Sequence, residues 1–113
     1  MLAASARILV CTQAQDMRRS FDTLAQVVRE VLGEDPQSGA LYVFLGRDKR
    51  RAKVLWWERN GYCLLSKRLH RALFVLPSDR PQVGAALRID AEALGELLVG
   101  VEKKSFEKVP RLH

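Results

Sequence analysis

Three short runs of aliphatic and aromatic residues, Leu41–Leu45, Lys53–Glu58 and Tyr62–Lys67, follow one another with little chain between them. Runs of this length and composition read as β-strands. Parallel neighbours would need a crossover of a dozen residues or more, so segments joined this closely pair antiparallel. The second and third runs are separated by a stretch holding Asn60-Gly61, the strongest short hairpin signal, because both residues tolerate positive φ. The connection before them, Gly46–Ala52, is longer and charged. Ala72–Pro77 reads as one more strand, closed by Pro77, and Arg7–Thr12 as a short buried strand ahead of the meander.

Between that first strand and the meander, Asp16–Leu32 carries the spacing of a helix. Phe21, Leu24, Ala25, Val28, Val31 and Leu32 fall on one apolar face, Asp16 is the expected N-cap and Gly33 the expected stop. Glu34–Gly39 has loop chemistry, as does Pro77–Ala85. A second helix is expected over Asp90–Val99, capped by Asp90, with Ala91, Leu94, Leu97 and Leu98 turned inward. The expected architecture is an α+β domain of residues 1–100, in the order β-α-β-β-β-(β)-α. A mostly antiparallel sheet of four to five strands carries both helices on one face. Residues 101–113 read as a polar, mobile tail.

A chain of 113 residues is one domain, long enough to bury a core. The apolar run near the start is too short to span a bilayer and lacks the form of a signal peptide, so a cytoplasmic location is expected. Cys11 and Cys63 stand alone, without metal-ligand spacing, and read as packed, reduced thiols. The net charge of +6 points to an anionic partner. Its distribution is more informative: residues 47–71 hold nine Lys and Arg against two acids, and the rest of the chain holds ten against eleven.

No nucleophile elbow, zinc-protease motif or phosphate-binding glycine loop is present. His70 has no placed partner for base catalysis, and no carboxylate set converges in the sequence to hold a catalytic metal. The expectation is a non-enzyme with no cofactor, no metal and no small-molecule substrate. The meander can instead present Arg47, Lys49, Arg50, Arg51, Lys53, Lys67, Arg68, His70 and Arg71 to phosphates, with Trp57 stacking on a base. The blander reading of the same residues is two core tryptophans and a solvated cationic rim, which for the tryptophans alone is the better one. Arg18 and Arg19 are expected in the first turn of the first helix, where the macrodipole disfavours cations. They either contact a phosphate or acid of a partner, or pair locally with Asp16 or Asp22.

The stretches DMRRSFDTLAQVV, DPQSGALYVF and KVLWWERNGYCLLSKRL, taken together, resemble the small accessory protein encoded by the second reading frame of insertion-sequence-66-type bacterial mobile elements. The matching positions are Asp16, Met17, Arg18, Phe21, Asp22, Asp35, Pro36, Gly39, Lys53, Trp57, Gly61, Lys67, Arg68, Leu69 and Phe74. Departures are Ser20 for a glycine, Gln37 for an aromatic residue, Glu58 for an aspartate, His70 for a glutamate and Ala72 for a glycine. The resemblance implies a helper in transposition, with cutting and joining left to a separate transposase. Duplex DNA at the element ends and that transposase are the expected partners, with no membrane. The alternative is an interaction module that docks on the transposase and has no DNA affinity of its own.

Overall fold

The computed structural model describes residues 6–102. Six strands form the main sheet, in the order β4 (Gly61–Arg68), β3 (Arg51–Glu58), β2 (Leu41–Leu45), β1 (Ile8–Cys11), β7 (Ala86–Ile89) and β6 (Gln82–Val83). β1 and β2 run parallel, joined over helix α1 (Phe21–Glu30); every other pairing is antiparallel. A second, two-stranded sheet pairs β5 (Ala72–Leu73) with β8 (Val101–Glu102), which follows helix α2 (Ala91–Val99).

The fold is therefore α+β with a mostly antiparallel sheet, but the helices do not share a face. Leu9, Cys11, Tyr42, Phe44 and Leu55 pack with Leu24, Ala25 and Val28 of α1. Ile8, Val10, Val43, Val54, Leu87 and Ile89 pack with Ala93 and Leu97 of α2. Alternate residues of each strand enter opposite clusters, as the two-residue period of a strand requires. β2 is buried on both sides, and its uninterrupted apolar run LYVFL follows from that. The expected one-sided sheet failed because β7 lies between the Pro77–Ala85 loop and the Asp90 helix start, in a stretch with no expected element. Ala86, Leu87 and Ile89 give it a buried strand beside β1, and α2 then covers the second face.

Other boundaries move for local reasons. Helix α1 begins at Phe21 after Ser20 rather than at Asp16. Ser20 donates its backbone N–H to Thr23 Oγ1 at 2.9 Å. Asp16 is occupied elsewhere, accepting from the Arg18 N–H at 2.9 Å, while the Gln15 N–H donates to the Leu45 carbonyl and extends the β1–β2 pairing. Phe21 is exposed, and Leu24, Ala25, Val27 and Val28 form the buried stripe. Asp90 caps α2 as expected, accepting from the Ala93 N–H at 2.8 Å.

The tight hairpin turns on Arg59-Asn60, both at positive φ, with Glu58 opposite Gly61. Cross-strand packing sets that register: Trp57 meets Tyr62 edge to face at 5.0 Å, and Leu55 faces Leu64. A one-residue slip would turn every β4 side chain to the wrong face. The fourth strand of the expected meander shortens to Ala72–Leu73, and residues 103–113 of the expected tail lie outside the described residues.

Candidate anion-binding site

The cations gather at one end of the sheet, where the parallel strands β1 and β2 both terminate, the customary place for a cleft in such a sheet. Residues 46–50 link β2 to β3 in a compact turn. The Gly46 N–H donates to the Arg51 carbonyl at 2.9 Å, and the Lys49 N–H donates to the Gly46 carbonyl at 3.1 Å. Asp48 Oδ1 accepts from the Arg50 N–H at 3.0 Å. Lys49 sits at φ 60°, a left-handed conformation uncommon for a side-chain-bearing residue. The chain leaving β4 is bonded onto this turn, with the Leu69 N–H donating to Arg50 O and the Phe74 N–H to Lys49 O, both at 2.7 Å. The cationic loop is thereby fixed on both sides.

Arg51 opens β3 and stands directly opposite Arg68, which closes β4. Like charges in register across two strands oppose pairing. Asp48 offsets this weakly, its Oδ2 lying 3.8 Å from Arg51 Nε. A cleft of about 340 Å³ opens there, lined by Asp48, Arg50, Arg51, Arg68, Leu69 and His70. Among the described residues, neither Arg50 nor Arg68 makes an ion pair. A guanidinium pair held this way presents forked N–H donors suited to the oxygens of a phosphate.

A second cleft of about 300 Å³ shares Asp48 and Arg51 with the first, and adds Gln15, Asp16, Met17, Gly46 and Arg47. The DMRRS segment thus lies against the basic loop, although the two are some thirty residues apart in sequence. Close packing secures the contact: a Cβ on Gly46 would come within 2.8 Å of Met17 Cγ. Lys53 adds a tie, its Nζ donating to the Arg19 carbonyl at 2.6 Å.

The sequence-derived candidates separate accordingly. Arg47, Lys49, Arg50, Arg51, Arg68 and His70 come together at this end, and exposed Arg71 follows His70 directly. Arg18 is engaged locally, donating from Nε and Nη2 to the Asp16 carboxylate at 2.6–3.1 Å. That side-chain bond, then the bond from its amide, holds the Asp16 carboxyl well below the usual range. Arg18 and Arg19 precede α1 rather than occupying its first turn. Lys67 pairs with Ala52 and points to the face opposite Arg68. Trp57 is half-buried against Tyr62 and stands six residues along β3 from Arg51, about 20 Å at the usual strand rise. It is not part of the cluster. Sequence reasoning missed Asp48 as the organiser of the loop. Its signal was an Asp two residues ahead of the amide it accepts from, the pattern of a side-chain-closed turn.

No group of three or more His, Cys, Asp or Glu residues among those described is placed to hold a metal ion. Burial pushes the Cys11 thiol up, which keeps it protonated and inert. No helix among the described residues is long and apolar enough to cross a membrane.

The family model described as IS66 Orf2 like protein matches residues 6–108. The chain is 42% identical over 96 residues to uncharacterized protein y4hO of Sinorhizobium fredii, covering 85% of this chain and 81% of that relative. It is 30% identical over 104 residues to uncharacterized protein y4jC of the same organism, covering 92% and 86%. No solved structure matches it.

Proposed function

Because the chain belongs to the IS66 Orf2-like family of accessory transposition proteins, we propose that it assists transposition by binding duplex DNA through the cationic end of its sheet, without catalysing strand cleavage itself. The observation that carries this reading is the opposed Arg51–Arg68 pair, with Arg50 and His70 lining one cleft beside it. Two guanidinium groups in register repel each other until an anion lies between them. A backbone phosphate supplies that anion, and neighbouring Arg47 and Lys49 extend the contact along a nucleic-acid strand. Such contacts release counterions and fix position on the duplex without reading sequence. The two carboxylates at this end support a non-catalytic role, since Asp16 is bonded to Arg18 and Asp48 to the loop amide and Arg51.

A second reading has one observation in its favour. Beside the cations, an apolar groove of about 320 Å³ is lined by Leu45, Phe74, Val75 and Leu76, with Arg47 and Lys49 among its lining residues. Val75 and Leu76 are 43% and 37% exposed there. This suits docking on an acidic and apolar surface of the element's transposase. Titration of the protein against element-end and random duplexes at two salt concentrations tests the choice. Affinity that falls steeply with salt supports DNA binding. No binding at low salt, together with capture by the transposase, supports the docking reading.

A further inference from the structure

The two edges of the main sheet differ. On one side, β6 is two residues long, with Pro81 before it and Gly84 at φ 58° after it, which blunts that edge. On the other, β4 runs eight residues without proline and in unbroken one-to-one register with β3. Among the described residues, its outer side carries no strand. Charge guards only its end, at Lys67 and Arg68, while exposed Leu65, at 42%, sits at its middle. A long, regular edge with an apolar centre is a template for adding a strand.

We propose that this edge pairs with the β4 edge of a second copy of the chain, antiparallel about a two-fold axis at Leu65. Hydrogen-bond parity limits where the axis can fall, and the charge pattern along β4 is compatible with a second copy there. The two-residue turn makes Glu58–Gly61 a hydrogen-bonded pair. Tyr62, Leu64, Ser66 and Arg68 therefore turn their amide and carbonyl groups away from β3. A two-fold pairing centred on Leu65 sets Leu64 against Ser66 of the second copy and Tyr62 against Arg68, and brings the two Leu65 side chains together. Within the paired stretch 62–68 no like charges face each other, because Arg68 meets Tyr62 and Lys67 meets Cys63. A parallel strand, or another cationic edge in a different register, would lose that complementarity. Twelve strands would then form one continuous sheet. The two Arg68 residues would lie about 20 Å apart along it, giving the dimer two separated cationic clefts. This inference does not rest on DNA binding: its centre at Leu65 lies outside the cleft, and the edge meets the cleft only at its last residue, Arg68.

An edge pairing of this size is small, and larger interfaces already reach down to about micromolar affinity, so the dimer dissociates at concentrations on the order of micromolar or above. Light scattering across roughly 1–300 µM, a range bracketing that value, should show the mass rising from one chain to two. Leu65→Lys should remain monomeric while melting like wild type, because it places like charges together at an exposed site. In a Cys63→Ser background, Leu65→Cys should crosslink quickly under mild oxidation, since facing Cα atoms in such a pair are about 4.5 Å apart and within disulfide reach. Val83→Cys, 82% exposed on the other edge, should not. A wild-type protein that stays monomeric throughout, a Leu65→Lys variant that still dimerises, or equal crosslinking at positions 65 and 83 would each overturn the proposal.

Discussion

Tyr42 shows how a single hydroxyl closes a loop. Its ring is fully buried, its O–H donates to the Asp35 carbonyl at 2.8 Å, and the Ser38 hydroxyl lies 2.8 Å away. Tyr42→Phe keeps the ring but strips a partner from both groups, so stability in urea should fall by about 1–2 kcal/mol. Burial raises the Tyr42 pKa above its ordinary value of 10.0, so the folded state holds this proton more tightly than the unfolded state does. That contribution is complete below pH 10 and is lost as pH rises through the raised folded-state pKa. The alkaline decline in stability should therefore be shallower in Tyr42→Phe than in wild type. Trp56 makes the converse case. It packs beside Val54 against the α2-side cluster, but its Nε1 is buried with no acceptor among the described residues. Trp56→Phe removes the stranded donor and should cost less than about 1 kcal/mol. Trp56→Ala leaves a cavity, and thermal melts should show a loss of roughly 3 kcal/mol.

The β3–β4 hairpin carries two local conflicts at the scale of the element. At its tip, Arg59 and Asn60 hold φ of 46° and 68°, although the preferred pair for such a turn is Asn-Gly. The sequence does contain Asn-Gly, displaced by one residue, and the Trp57–Tyr62 and Leu55–Leu64 pairs overrule it. Arg59→Asn combined with Asn60→Gly should stabilise by about 1 kcal/mol, visible as a higher melting temperature, because the left-handed cost to Arg59 is relieved. At the other end of the hairpin, the Arg51–Arg68 opposition disfavours the unliganded fold. Arg51→Gln and Arg68→Gln should each leave the melt unchanged or raise it by up to about 1 kcal/mol. The same changes should flatten the salt dependence of DNA binding by about one unit apiece. Stability and binding moving in opposite directions would mark these arginines as functional. A variant that melts and binds like wild type would reduce them to a solvated rim.

Across the whole molecule, charge and topology divide the labour. One helix packs on each face of the sheet and buries most of the apolar set, and among the described residues the strand ends and the β4 edge stay open. The chain's charge excess is carried to one of those ends. The affinity of the intact protein for random duplex should drop by orders of magnitude between low and physiological salt, as several phosphate contacts require. Incubation of supercoiled DNA with magnesium or manganese should leave it uncut; metal-dependent nicking that vanishes in Asp48→Asn would overturn the non-catalytic reading.

The sequence by itself determined what depends on neighbours along the chain. The antiparallel β2–β3–β4 meander, the Asp90 cap and the concentration of cations in residues 47–71 are of that kind, since short turns, a capping carboxylate and a run of charges are local. The resemblance carried by DMRRSFD, DPQSG and the meander also pointed to the family that the comparisons show. Tertiary structure decided whatever needed partners distant in sequence. The hidden strand Ala86–Ile89 is recognisable only against β1, and it frees α2 to cover the second face. Asp16 could not cap α1 because the parallel pairing of Gln15 with Gly46 draws its segment over the end of the sheet. Trp57 left the cationic cluster, and Arg68 met Arg51, because β-strand register places residues by position and face, and neither is written in composition.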